Sequence, residues 1–212
     1  MLRGLPGQPY VHWVPPEVPL SQVKGSNMLN RQAFVLDRFD AAAWQRVLSA
    51  LPPQDAACLA PRILASGWYP FELYNALDQA ICDVLAGGDL DLCRLMGADS
   101  ARRALSGTYR VYLKEGPEPL LRRLAVLHRA FYDSGSMEVT HLTTGQCAIR
   151  TVYVPRSTQT NCLVAQGFYR TVVEMSGGRQ VQVTEGNCSA DGAPLCLFNI
   201  RWQTALDLQA PA

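Results

Sequence analysis

The stretch Glu185-Gly-Asn-Cys188-Ser-Ala-Asp-Gly-Ala-Pro-Leu-Cys196-Leu-Phe-Asn-Ile-Arg-Trp202 constrains the chain more than any other. It places a carboxylate and two thiols around a turn containing Gly and Pro, between two runs with the period of a strand. Before the turn, Val181 and Val183 alternate with polar residues. After it, Cys196, Phe198, Ile200 and Trp202 share one face. Two such runs with a Gly-containing connection predict a hairpin, which brings Glu185, Cys188 and Cys196 together. A third thiol, Cys162, stands 23 residues before Glu185 in a segment of helical periodicity. Three thiolates and a carboxylate make a closed tetrahedral zinc set with no position for water or substrate, so the expected role is structural. Cysteines are also common as small buried hydrophobes, and spacing alone leaves both readings open.

Upstream of the hairpin, residues 161–175 place Cys162, Ala165, Tyr169 and Val172 on one helical face. Met137 to Thr143 and Ala148 to Val154 alternate on either side of Thr144-Gly145. The C-terminal half therefore reads β-β-α-β-β. The expected fold class is α+β, a helical N-terminal half packed on one side of a four-stranded, largely antiparallel sheet. Helices are predicted from Asp40 to Leu51, from Pro53 to about Ser66, and through Phe71, Tyr74, Leu77 and Ile81. Others run from Asp89 through Met96, over Tyr109 to Leu113, and along Leu120, Leu124, Leu127 and Phe131. Residues 22–39 read as a strand around Met28, Phe34 and Leu36, with Gly25 as a turn or bulge. Residues 1–20 hold five prolines with Tyr10, His12 and Trp13, an extended segment that cannot make its own core. The expected organisation is an arm and strand over 1–36, either laid on the body or swapped into a homodimer. A single ligand-binding-like domain over 37–205 and a tail over 206–212 complete it.

The intervals Cys162, Glu185, Cys188 and Cys196, with Glu 23 residues on, Cys three further and Cys eight further, are those of the zinc-binding members of a known domain. From about Gly107 to Trp202 the chain resembles the 4-vinyl-reductase-like domain, found also in aromatic-sensing bacterial transcription activators. The phrase Ser66-Gly-Trp-Tyr-Pro70 is more similar to an uncharacterised bacterial paralogue group carrying that domain. The resemblance implies a fold shared distantly with haem nitric-oxide sensors and with subunits of the TRAPP vesicle-tethering complex. It also implies a space between helices and sheet that accepts an apolar small molecule or an acyl chain. His141, Gln166 and Val172 stand where the phenol-sensing branch has Trp and two Tyr, so the resemblance does not extend to phenol recognition. The tyrosine-serine-arginine motif (YxSxR) that clamps porphyrin in the haem sensors is missing.

Other chemistries find little support. A formal charge of +1 argues against bulk attraction to nucleic acid. No apolar run reaches the roughly 18 residues of a membrane span, and Met1-Leu-Arg-Gly-Leu-Pro lacks a secretory core, so a cytoplasmic protein is expected. Its seven cysteines are then free or metal-bound. No nucleophile elbow, phosphate loop or paired-histidine metal motif occurs, and His128 beside Leu127 reads as a helix-surface residue. Five acids between residues 70 and 91 precede eight bases against three acids between 94 and 129, a pattern read as a solvated surface with internal ion pairs. Trp68, Tyr109, Phe131 and Phe168 sit on apolar faces of different elements and are the expected cavity walls. The expected function is a non-enzymatic small-molecule-binding or sensory module with a structural zinc, homodimeric, signalling through a partner protein. The alternative is a TRAPP-like adaptor acting through protein-protein surfaces, with that interior space filled by side chains.

Overall fold

The computed structural model describes residues 21–204. Its organising unit is a four-stranded antiparallel sheet built from β3 (Ser136–Thr143), β4 (Gln146–Val152), β5 (Arg179–Asn187) and β6 (Cys196–Gln203), in the order β3-β4-β6-β5. In β6 the alternation seen in the sequence becomes a two-faced strand. Cys196, Phe198, Ile200 and Trp202 are buried, while Asn199 and Arg201 face water. α7 (Gln159–Met175) crosses from β4 to the edge strand β5 and covers the buried face. Thr158 starts it, its hydroxyl accepting the Asn161 N–H at 3.2 Å.

The remaining helices form the N-terminal half: α1 (Gly25–Arg38), α2 (Ala41–Ala50), α3 (Pro53–Leu59), α4 (Phe71–Leu85), α5 (Asp91–Ser106) and α6 (Pro117–Phe131), with a 3-10 helix over Thr108–Glu115. Asp40 caps α2, accepting the Ala43 N–H at 2.6 Å. α4 buries Phe71, Tyr74, Leu77 and Ile81 as their spacing predicts. The α+β architecture with an antiparallel sheet is the one expected.

Three local readings are corrected. Residues 25–38 are helical, and only β1 (Gln22–Lys24), paired antiparallel with β2 (Trp68–Pro70), is extended. The strand reading needed Leu36 inside, yet it is 41% exposed; the buried face runs Met28, Arg31, Phe34, Val35. A charged residue occupies one apolar position of the stripe and hides its period. α3 ends at Leu59 rather than near Ser66, because Pro61 has no N–H with which to continue the helical ladder. Cys82 on α4 and Cys93 on α5 are joined as a disulfide where the two helices pack, so these two thiols are not free.

α5 and α7 cross at closest approach through two glycines. A Cβ on Gly97 would stand 1.9 Å from the Val164 carbonyl oxygen, and one on Gly167 would stand 2.0 Å from that of Arg94. This reciprocal contact locks the helical half to the element that covers the sheet. Three arginines of the basic stretch are paired within the chain, Arg94 with Asp91, Arg103 with Asp37 and Asp99, and Arg123 with Glu115.

Candidate functional site: a cavity beside a thiol cluster

Between α1, α5, α6, α7 and the sheet lies a cavity of about 400 Å³, within the range of small-molecule sites. Three of the four expected wall residues, Tyr109, Phe131 and Phe168, line it. Trp68 does not. It lies on β2, 40% exposed, with the Lys24 ammonium 4.1 Å from its ring centroid. The leucine stripe of α6 is what opens the space: Leu120, Leu124 and Leu127 face it rather than filling it.

One end of the cavity is polar, and no spacing pattern announced it. Arg31 of α1 is 1% exposed and its partner Asp78 of α4 is fully buried. Nε donates to Asp78 Oδ1 at 2.5 Å and Nη2 to Oδ2 at 3.1 Å, while Nη1 donates to Ser100 Oγ at 2.6 Å. Nη2 also donates to the Tyr74 hydroxyl, which meets that of Tyr132. Burial opposes the guanidinium charge, yet Asp78 and Tyr74 outweigh it and hold Arg31 above its ordinary pKa. Burial, with a smaller opposing effect of Arg31, pushes Tyr132 up to about 12.

His128 also belongs to this wall, which corrects its reading as a surface residue. At 7% exposure it stacks on Tyr132 with centroids 4.7 Å apart and shares a 2.8 Å hydrogen bond with Tyr153 through Nε2. Its position seven residues after buried Leu121 puts it on the same face of α6. Burial, then the neighbouring charge of Arg129, lowers its pKa to about 4. The unfolded chain binds a proton near pH 6.5 that the fold refuses until about pH 4, so stability is complete above pH 6.5 and falls as the pH drops between these values. Urea unfolding at pH 7 and pH 5 should differ by about 2 kcal/mol from this group. His128→Gln should flatten that difference.

Adjacent to the cavity, the hairpin delivers the cluster expected from the sequence. Cys162 of α7, Glu185 of β5, Cys188 just beyond β5 and Cys196 at the start of β6 place their ligand atoms within 4.8 Å of one another. The Cys162 sulfur lies 3.4 Å from that of Cys196 and 3.6 Å from that of Cys188. A bulge between Glu185 and Asn187 sets the carboxylate. Its Oε2 accepts from Gln166 Nε2 at 3.3 Å, while Oε1 is buried with no partner among the described residues. The hydrogen bond from Cys162, then the hydroxyl and backbone N–H of Ser189, draw the Cys196 thiol down to about 6 against the effect of burial. The same sharing with Cys196, burial and Glu185 raise Cys162. Cys162 and Cys196 line the cavity as well.

No family model and no curated protein matches the chain. Solved structures do match in fold. An H-NOX protein from S. oneidensis in the Fe(II)NO ligation state superposes with a TM-score of 0.67 at 16% identity, over 85% of this chain and 99% of that one. An Fe(II) unliganded H-NOX protein from K. algicida gives 0.65 at 13% identity, over 86% and 98%. An oxygen-binding H-NOX domain related to soluble guanylate cyclases gives 0.59 at 9% identity, over 85% and 95%. The chain has the H-NOX fold, the more distant of the likenesses expected from its sequence.

This finding corrects the expected cofactor. The structures that share the fold are described with iron(II), not with a structural zinc. The cavity, in turn, does not fit the haem of that fold. His128, the one histidine among the described lining residues, has Nε2 committed to Tyr153. The two arginines that line the cavity, Arg31 and Arg103, are already paired with carboxylates, leaving no free cation for propionates among the described lining residues. Where Tyr132-Asp-Ser134 matches the start of the porphyrin-clamping motif, Ser136 takes the place of its arginine. The two cavity thiols are engaged with each other and with Ser189.

Proposed function

We propose that the chain is a non-enzymatic small-molecule-binding, sensory module. The observation that carries this reading is the cavity of about 400 Å³ between helices and sheet, walled by Tyr109, Phe131 and Phe168 and closed at one end by a buried polar network. Its expected occupant is an apolar small molecule or acyl chain. Ligand sites are concave, mostly apolar and fixed by a few polar groups, which is the composition found here. An adaptor working through its surface has no use for such a space, so the TRAPP-like reading loses its distinguishing expectation. No helix among the described residues is long and apolar enough to cross a membrane.

Cys162, Glu185, Cys188 and Cys196 are proposed as the ligands of a metal cation. Glu185 Oε1 is buried without a hydrogen-bond partner among the described residues, and a carboxylate oxygen of Glu185 lies within 4.8 Å of the three sulfurs, which supports that assignment. A homodimer formed through the N-terminal arm, and a partner protein that receives the signal, complete the proposal. Residues 1–20 of the arm and the expected tail lie outside the described residues. From Gln22 onward the segment pairs with β2 of its own chain.

Native mass spectrometry of freshly purified protein tests the reading in one sample. A co-purified small organic mass is expected on each chain, alongside any bound ion and the oligomeric state. Phe131→Trp should fill the cavity and remove that mass while circular dichroism stays unchanged. A chain that carries and takes up no small molecule in either form would end the sensor reading.

A further inference from the structure

Arg31 is charged, buried, and lines the cavity with one donor to spare. A guanidinium has five N–H groups in a rigid fork. Nε serves Asp78, both hydrogens of Nη2 serve Asp78 and Tyr74, and one hydrogen of Nη1 serves Ser100. The second hydrogen of Nη1 has no partner among the described residues. Ser100 has nothing further to donate, since its own hydroxyl goes to the Met96 carbonyl at 3.0 Å. Ser26, on the same helix and the same cavity wall, has a buried Oγ without a partner among the described residues. Buried donors left unmade are unfavourable, and each such group calls for a partner.

Charge decides what that partner is. Asp78 already neutralises Arg31, and both side chains are almost fully out of water. Arg103, the other cavity-lining cation, is held by Asp37 and Asp99. A carboxylate entering this space would bury an excess negative charge with no free cation to meet it, a severe desolvation penalty. A neutral acceptor meets no such penalty.

We propose that the cavity binds a neutral molecule with an apolar body and a carbonyl oxygen, the oxygen accepting the spare Nη1 hydrogen of Arg31 while the body lies against Leu120, Leu124, Phe131 and Phe168. This assignment rests on the small-molecule reading of the same cavity and names the chemistry that the cavity selects.

Acetophenone, ethylbenzene and benzoate form a matched set of probes: neutral acceptor, no acceptor and charged acceptor on one ring. Dissociation constants are read by NMR titration for the full chain and for the double variant Arg31→Met/Asp78→Leu, which replaces the ion pair with apolar groups. The preference for acetophenone over ethylbenzene should be larger in the unmodified chain than in the double variant by about tenfold, the worth of one hydrogen bond to a charged donor. Benzoate should bind weakest. In the unmodified chain alone, the guanidinium nitrogen resonances of Arg31 should shift with acetophenone and stay fixed with ethylbenzene, a readout that survives if the double variant does not fold. An unchanged preference, benzoate as the tightest probe, or an unresponsive Arg31 resonance overturns the assignment while ethylbenzene binding keeps the cavity reading alive. Failure of all three probes to bind overturns both.

Discussion

Arg31→Met is expected to lower the unfolding free energy by about 3–5 kcal/mol, and adding Asp78→Leu is expected to recover most of that loss. Both charges lie out of water, at 1% and 0% exposure. Taking away the guanidinium alone leaves a buried carboxylate with its principal partner gone, and also strips donors from Ser100 and Tyr74. Removing both charges abolishes the desolvation burden along with the attraction, so the net change is small or even favourable. Urea unfolding of the single and double variants measures the difference. If the single variant lost less than about 1 kcal/mol, comparable to an exposed pair, the ion pair would not be the buried keystone described above.

Gly97→Ala and Gly167→Ala should each destabilise the protein by about 3 kcal/mol, near the upper end of overpacking effects. The direction is not obvious beforehand, because alanine gains about 1 kcal/mol of helix propensity over glycine. Here the added carbon would lie 1.9 Å from one backbone oxygen and 2.0 Å from the other. Backbone cannot swing aside as a side-chain terminus does, so the helices must separate. Thermal midpoints should fall by roughly 6–12 °C for a chain of this size. Ala98→Gly, one position along on α5, serves as the control and should lose about 2 kcal/mol at most, the propensity difference of about 1 kcal/mol and the burial of one methyl of about 0.8 kcal/mol, without separating the helices. A pair of Gly→Ala variants as stable as the parent would show that α5 and α7 do not meet as closely as the fold requires.

The parts of this fold that could be read in advance are those whose buried face is apolar. Phe71, Tyr74, Leu77 and Ile81 announced α4, and Cys196, Phe198, Ile200 and Trp202 announced β6 with its orientation. α1 was missed because Arg31 sits where its stripe needs an apolar residue, and its compensation comes from Asp78 47 positions away. The thiol cluster was legible because thiols and carboxylates at fixed intervals are rare. The polar end of the cavity was not: Ser100, Tyr132, Tyr153 and His128 are individually ordinary and converge only through tertiary packing. Trp68 shows the converse failure, since a large aromatic on a short strand can lie against a lysine at the surface as readily as in a core. The disulfide between Cys82 and Cys93 depends on how two adjacent helices dock, which residue spacing does not specify.

Cys162 and Cys196 belong at once to the cavity wall and to the four-residue cluster behind it. On the proposed function, an occupant of either place would press on sulfurs that the other shares. Thermodynamic reciprocity then requires that any factor by which a cavity ligand alters affinity at the cluster be returned undiminished to the ligand. A single helix, α7, carries Cys162, the cavity residue Phe168 and the crossing glycine Gly167 within two turns. The two places thus share one stiff strut, and on the proposed function small molecule and thiol chemistry would be two handles on a common equilibrium.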